Sequence, residues 1–114
     1  MKKQPNILFI MADQFRGDIM SCVGGPAQTP SLDALAAEGS CFTNCSTVAP
    51  LCVPARISMM TGKYPHTTGS WDNAAYALSP EANLWTKEIQ SMGYSTAVFG
   101  KLHLHTDFGD IISR

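Results

Sequence analysis

Short apolar runs separate the helical patterns along the chain. Residues 6–12, NILFIMA, form a continuous apolar run with β-branched and aromatic members, which is typical of a strand buried on both faces. Residues 94–100, YSTAVFG, have the same character. Residues 40–49, SCFTNCSTVA, predict a further strand between these two, so that three strands are expected.

Three helices are predicted between these strands. Residues 29–39, TPSLDALAAEG, begin with Thr29 as the N-cap and end at a glycine. Residues 52–62, CVPARISMMTG, carry a proline in the first turn and a glycine after the last. Residues 83–93, NLWTKEIQSMG, begin with Asn83 as the N-cap and also end at a glycine. The segment between the second and third helices predicts a loop.

Strands that alternate with helices predict an α/β fold with a largely parallel sheet flanked by helices. In such sheets, ligands bind beyond the carboxyl ends of the strands. Asp13 follows the first predicted strand, Cys52 follows the second and Lys101 follows the third. We therefore expect three polar stretches at one edge of the sheet.

The composition disfavours some classes of partner. The 114 residues are 45% hydrophobic and 15% charged, which predicts one globular domain, and the net charge of −1 with scattered Lys and Arg disfavours nucleic acid or an anionic membrane as a partner. The N-terminal lysines and apolar run resemble a signal peptide, but the run is short and is broken by Asp13. Because no segment reaches transmembrane length, we expect a cytoplasmic protein.

Four cysteines leave several chemistries open. Their spacing lacks the pairs of a zinc ribbon, so reduced thiols are expected, with Cys41 and Cys45 as small buried residues. Cys52 begins a predicted helix whose N-terminus favours anions, and Arg56 adds a planar guanidinium suited to tetrahedral oxyanions. These residues allow a packed thiol, a thiolate nucleophile or the precursor of another group. Cysteine-dependent phosphatases fit badly, because they place five residues between Cys and Arg, and this chain has three.

The motif C-x-P-x-R at residues 52–56, followed by ISMMTG, resembles the signature of the type I sulfatases, within the alkaline-phosphatase-like superfamily. PNILFIMADQ is similar to the opening strand and metal loop of that family, TPSLDALAAEG to its next helix, and GYSTAVFGKLHL to its later strand and lysine–histidine motif. The similarity covers nearly the whole chain in the order of the family. A match to the short motif alone would be common, whereas four ordered segments are specific.

The resemblance implies that a formylglycine-generating enzyme converts Cys52 to formylglycine, whose hydrated aldehyde offers a hydroxyl nucleophile to sulfur or phosphorus. Arg56 would stabilise this group and the developing charge. Lys101 and His103 would contact the oxyanion and the leaving oxygen, and Asn73 is expected as a polar contact at the mouth of the site. Without the resemblance, Lys101 would be interpreted as a solvated surface lysine.

The resemblance also implies a divalent cation held by Asp13, Gln14 and the group made from Cys52. Ca²⁺ is favoured, with Mg²⁺ or Mn²⁺ as alternatives, because all three prefer oxygen donors. Gln14 stands where many sulfatases carry a second aspartate, so the Asp-Gln pair resembles the choline-sulfatase and phosphonate monoester hydrolase branches.

The function implied by the resemblance is hydrolysis of a small-molecule sulfate ester on an alkaline-phosphatase-like sulfatase fold. One alternative is a phosphonate monoester or phosphodiester hydrolase with the same site, and another is a non-catalytic fragment. We expect residues 1–114 to be the N-terminal part of a sulfatase catalytic domain, inactive alone, with the remainder of the domain downstream.

Overall fold

A computed structural model of the chain describes residues 4–74, 78–79 and 81–104. The chain divides into two compact units, Met1–Cys45 and Ser46–Arg114. Within the described residues, the first unit contains one α-helix and the second contains three; the helices are α1 (Pro30–Glu38), α2 (Cys52–Thr61), α3 (Pro65–Thr68) and α4 (Trp85–Ser91).

In the first unit, α1 begins and ends where the sequence predicts. Thr29 is its N-cap residue, Pro30 occupies its first position and Gly39 follows its last residue. Proline suits this first position because its ring presets a helical φ and the missing N–H would have had no partner within the helix. A short 3₁₀ turn, Ser21–Val23, precedes α1 and packs against it.

A polar network joins this 3₁₀ turn to α1. The Ser21 hydroxyl donates to Asp33 Oδ2 over 2.6 Å, and the Thr29 hydroxyl donates to Asp33 Oδ1 over 3.1 Å. Thr29 N–H in turn donates to Ser21 Oγ over 3.0 Å. The hydrogen bond from Ser21 is the main reason why the pKa of Asp33 lies below its usual range, and the bond from Thr29 adds to it. The ionised carboxylate therefore stabilises the first unit.

The predicted parallel sheet is not confirmed. Residues 6–12, 40–49 and 94–100 form no strand, and the β-structure of the described residues is a single isolated parallel bridge between Met20 and Ala27. A strand needs a hydrogen-bonded neighbour, and a strand buried on both faces also needs covering helices. The first run forms no strand, and helices do not cover it, since Leu8 is 84% exposed.

The hydrophobic core described by the structure lies in the second unit. Its buried apolar side chains are Val53, Ile57, Met60, Leu78, Leu84 and Leu104. The first three recur at helical spacing on α2, which presents them along one face. Because α2 also contacts α3 and α4, it is the central element of this unit.

Three local predictions are corrected by the structure. Asn83 is not the N-cap of α4, since Leu84 holds that position and makes no side-chain capping bond; the buried Leu84 side chain is part of the core. Cys41 and Cys45 are exposed rather than buried, because the predicted strand that would have covered them does not form. The predicted loop after α2 contains α3, which begins at Pro65.

The structure tests the expected location of the protein in one respect, which is whether any described helix could span a membrane. Each of these helices is too short or too polar to traverse a lipid bilayer.

Candidate active site

Cys52 is the first residue of α2. The residue before it, Leu51, has an extended backbone and no side-chain capping bond. The helical hydrogen bonds begin with Ala55 N–H, which donates to Leu51 O over 3.1 Å. Cys52 is half-buried, so its sulfur lies at the edge of the core rather than within it. The predicted start of this helix is confirmed to the residue.

Asn73 reaches the N-terminus of α2 from a segment 20 residues further along the chain. Its side-chain oxygen Oδ1 accepts a hydrogen bond of 2.9 Å from Val53 N–H. The sequence predicts a polar contact at the mouth of the site, and the structure places Asn73 beside the residue that follows Cys52. Its binding of substrate stays a prediction.

Lys101 also lies beside Cys52. Lys101 Nζ is 3.9 Å from Cys52 Sγ, although 49 residues separate them in the sequence. The lysine is exposed, whereas Leu104, three residues later, is buried in the core of the second unit. The core thus anchors the segment of Lys101, whose ammonium group lies beside the sulfur of Cys52.

Arg56 links α2 to this same segment. Its guanidinium is buried, with 6% of the residue exposed, and Nη1 donates to Lys101 O over 2.5 Å and to Leu102 O over 3.4 Å. Cys52 and Arg56 are one helical turn apart, so they lie on the same side of α2. The arginine therefore holds the backbone of the segment whose side chain approaches Cys52. The sequence predicts a stabilising charge here but does not reveal this contact.

His103 has a conformation that the sequence does not predict. Its φ of 48° is in the left-handed region, whereas an extended segment has alternating side chains and would place those of Lys101 and His103 on the same side. That alternation fails at His103, which is exposed. Its contact with the leaving oxygen stays a prediction.

Asp13 and Gln14 belong to the first unit, where they occupy an exposed turn directly after the apolar run. Gln14 has a φ of 54°, an uncommon value for a residue other than glycine. The described part of the chain contains no group of three or more His, Cys, Asp or Glu residues that could hold a metal ion. Because Ca²⁺ takes six to eight oxygen ligands, these two side chains alone do not form a complete site.

Comparison with known proteins assigns the family. The model of the family described as Sulfatase matches residues 5–108, which is nearly the whole chain. The chain belongs to the sulfatase family.

Curated relatives of this sulfatase chain are much longer than the chain itself. An ulvan-active sulfatase of Formosa agariphila is 48% identical over 103 residues, which cover 89% of the chain and 20% of the relative. A choline-sulfatase of Rhizobium meliloti is 42% identical over 103 residues, which cover 88% of the chain and 20% of the relative. The chain thus spans about a fifth of the length of these relatives.

Solved structures resemble the sulfatase chain over most of its length. A protein in complex with its substrate D-glucosamine-2-N,6-O-disulfate aligns with a TM-score of 0.86 and 42% identity, covering 92% of this chain and 21% of that one. The phosphonate monoester hydrolase of Agrobacterium radiobacter aligns with a TM-score of 0.84 and 32% identity, covering 95% of this chain and 21% of that one. The sequence resemblance to both the choline-sulfatase and the phosphonate monoester hydrolase branches is confirmed.

Proposed function

We propose that the full protein carrying this sulfatase chain hydrolyses sulfate esters of small molecules. The observation that carries the proposal is the position of Lys101 Nζ, 3.9 Å from the sulfur of Cys52 at the first residue of α2. A cation beside a nucleophilic position suits an anionic ester, because it attracts the substrate and offsets charge that develops in the transition state. Family membership supports the same function.

The roles proposed for individual residues rest on the family resemblance and are supported by contacts in the second unit. Cys52 would be converted to formylglycine by a formylglycine-generating enzyme, and this group supplies a hydroxyl nucleophile when hydrated. Lys101 would bind a sulfate oxygen, and His103 would assist the leaving oxygen. Arg56 would keep Lys101 in place through the backbone carbonyls that its guanidinium contacts, and would add positive charge to the site.

Asp13 and Gln14 are proposed as two oxygen ligands of a divalent cation, together with the group made from Cys52. Ca²⁺ is preferred, with Mg²⁺ and Mn²⁺ as alternatives, since all three favour oxygen ligands. The remaining ligands would come from the rest of the catalytic domain. The isolated 114-residue chain is therefore expected to be inactive.

The test of this proposal uses the full protein, produced with a formylglycine-generating enzyme. Mass spectrometry of the peptide that spans Cys52 should show sulfur replaced by an aldehyde oxygen. Cys52→Ala should abolish release of sulfate from an aryl sulfate, whereas Cys45→Ala should retain it, because Cys45 is an exposed thiol of the first unit. Sulfate release by Cys52→Ala at the rate of the unmodified sequence would contradict the proposal.

A second candidate is a phosphonate monoester hydrolase with the same site. The observations that favour it are the structural similarity to such an enzyme and the Asp13–Gln14 pair. Sulfate and phosphonate monoesters have similar tetrahedral shapes, so one site can accept both. The ratio of kcat/KM on an aryl sulfate to kcat/KM on an aryl phosphonate monoester decides between them. An intact Cys52 thiol, even after co-production with the maturation enzyme, would favour a non-catalytic fragment instead.

A further inference from the structure

We propose that Asn73 is a positioning residue that caps α2 and thereby holds Cys52 in place. The inference deepens the proposed function, on which its catalytic consequence rests. Its structural part rests on the bond of 2.9 Å between Val53 N–H and Asn73 Oδ1 alone.

The N-terminus of α2 lacks a local cap. The first residues of a helix have N–H groups without partners inside the helix, and a Ser, Thr, Asp or Asn at the N-cap position usually accepts a hydrogen bond from one of them. Leu51 holds that position and has no acceptor in its side chain. Pro54, the third residue of the helix, has no N–H. Cys52 and Val53 are therefore the residues of this turn whose N–H groups need acceptors from outside the helix.

Asn73 supplies the acceptor that Leu51 lacks. Val53 is the second residue of α2, and the N–H of a second or third residue is the usual target of an N-cap side chain. Because a backbone N–H can only donate, the atom of Asn73 that faces Val53 is the side-chain oxygen. The orientation of the amide is thereby fixed, with its NH₂ group directed away from Val53.

This bond restrains the turn on which Cys52 lies. The backbone of Cys52 is joined directly to Val53, so displacement of the first turn displaces the sulfur relative to Lys101 Nζ, which is 3.9 Å away. A displacement of about 1 Å in a reacting group lowers a rate by about a hundredfold. Asn73 thus acts on the chemistry through the position of Cys52, whatever contact its NH₂ group makes with substrate.

Hydrogen exchange on the full protein measures the cap without any requirement for turnover. In Asn73→Ala, the peptide that spans Cys52 to Arg56 should exchange about tenfold faster, the size expected for loss of one capping bond. Asn73→Asp should restore slow exchange, because its carboxylate also accepts from Val53 N–H and negative charge is favourable at a helix N-terminus. Asn83→Ala is the matched control: it removes an asparagine next to α4, which has no side-chain cap, and should leave exchange in α2 unchanged.

Kinetics on a sulfate ester separate positioning from substrate contact. Asn73→Ala should lower kcat by about tenfold or more, whereas Asn73→Asp should mainly raise KM, because its added negative charge repels an anionic substrate. Unchanged exchange in both variants would overturn the capping role. Faster exchange in Asn73→Ala with rescue in Asn73→Asp supports the capping role. This holds even if the protein releases no sulfate, a result that would contradict the proposed function but not the capping role.

Discussion

The two units of the chain are stabilised in different ways. In Met1–Cys45, none of the described residues is buried, and a polar network of Ser21, Thr29 and Asp33 joins the 3₁₀ turn to α1. In Ser46–Arg114, a core of buried apolar side chains surrounds α2, and the candidate site lies at the first turn of that helix. The residues proposed to bind substrate are therefore carried by the unit with the core.

Apolar content does not explain this difference, because the first unit contains the run from Ile7 to Met11. Hydrogen bonding explains it better. An α-helix closes its backbone hydrogen bonds within its own segment, whereas a strand depends on another strand. Hence α2 forms and buries one face, while the apolar run, without a paired strand, leaves Leu8 and Ile10 84% and 75% exposed.

Truncation of Ile57 and Leu8 should show the largest contrast between the units. Ile57 is completely buried, so Ile57→Ala should lower the free energy of unfolding by about 2–5 kcal/mol. Leu8→Ala, at an exposed position of the first unit, should change it by less than about 0.5 kcal/mol in the 114-residue chain. Urea unfolding measures both values. Similar losses for the two variants would show that the apolar run is buried in solution and would remove the contrast.

Removal of Arg56 should have a smaller effect. Arg56→Ala leaves the carbonyl of Lys101 without its charged donor and should cost about 1.5–3 kcal/mol. Thermal unfolding measures this loss, and hydrogen exchange in residues 99–104 should accelerate.

Arg16→Ala is the matched control for Arg56→Ala. Arg16 forms an ion pair of 2.6 Å with Asp18, but both side chains are largely exposed, so its loss should leave the unfolding temperature unchanged. Equal effects of the two arginine substitutions would contradict the buried linkage of Arg56.

Acid should affect the first unit through Asp33. The pKa of this carboxyl is lowered in the folded chain, chiefly by the Ser21 hydroxyl. Its stabilising contribution is therefore complete above the unfolded pKa of about 4 and is lost as the pH falls through the lower folded value. The protection of the α1 amides, taken as exchange relative to the intrinsic rate at each pH, should decrease below about pH 4. In Asp33→Asn, the amides of α1 should be less protected above that pH, and their protection should no longer change as Asp33 titrates. If both proteins respond to acid in the same way, Asp33 is not the source of the response.

Local signals in the sequence predicted α1, α2 and α4 but missed α3, which lies in the segment predicted as a loop. Proline at the first position of α1, proline in the first turn of α2 and glycine after the last residue of both locate these helices, because these residues act through their own backbone geometry. The prediction failed for the N-cap of α4, where the buried Leu84 rather than the polar Asn83 precedes the helix. Packing of Leu84 in the core outweighed the local preference for asparagine at the N-cap.

Contacts between distant residues were beyond the reach of the sequence alone. Cys52, Asn73 and Lys101 were all identified as candidates, but no spacing rule shows that Asn73 bonds to Val53 N–H or that Arg56 bonds to the carbonyl of Lys101. Strand pairing is non-local in the same way. The sequence therefore reveals the apolar runs but does not show which segments would pair with them.

The exposed run from Ile7 to Met11 has a consequence for handling the 114-residue chain. A short, uncharged, β-prone segment without proline has the composition of segments that assemble into cross-β fibrils. Pro5 before the run and Asp13 after it are residues of the kind that flank such segments and slow their assembly. Concentrated solutions of the 114-residue chain are therefore expected to aggregate through this run, and removal of Asp13 should accelerate precipitation.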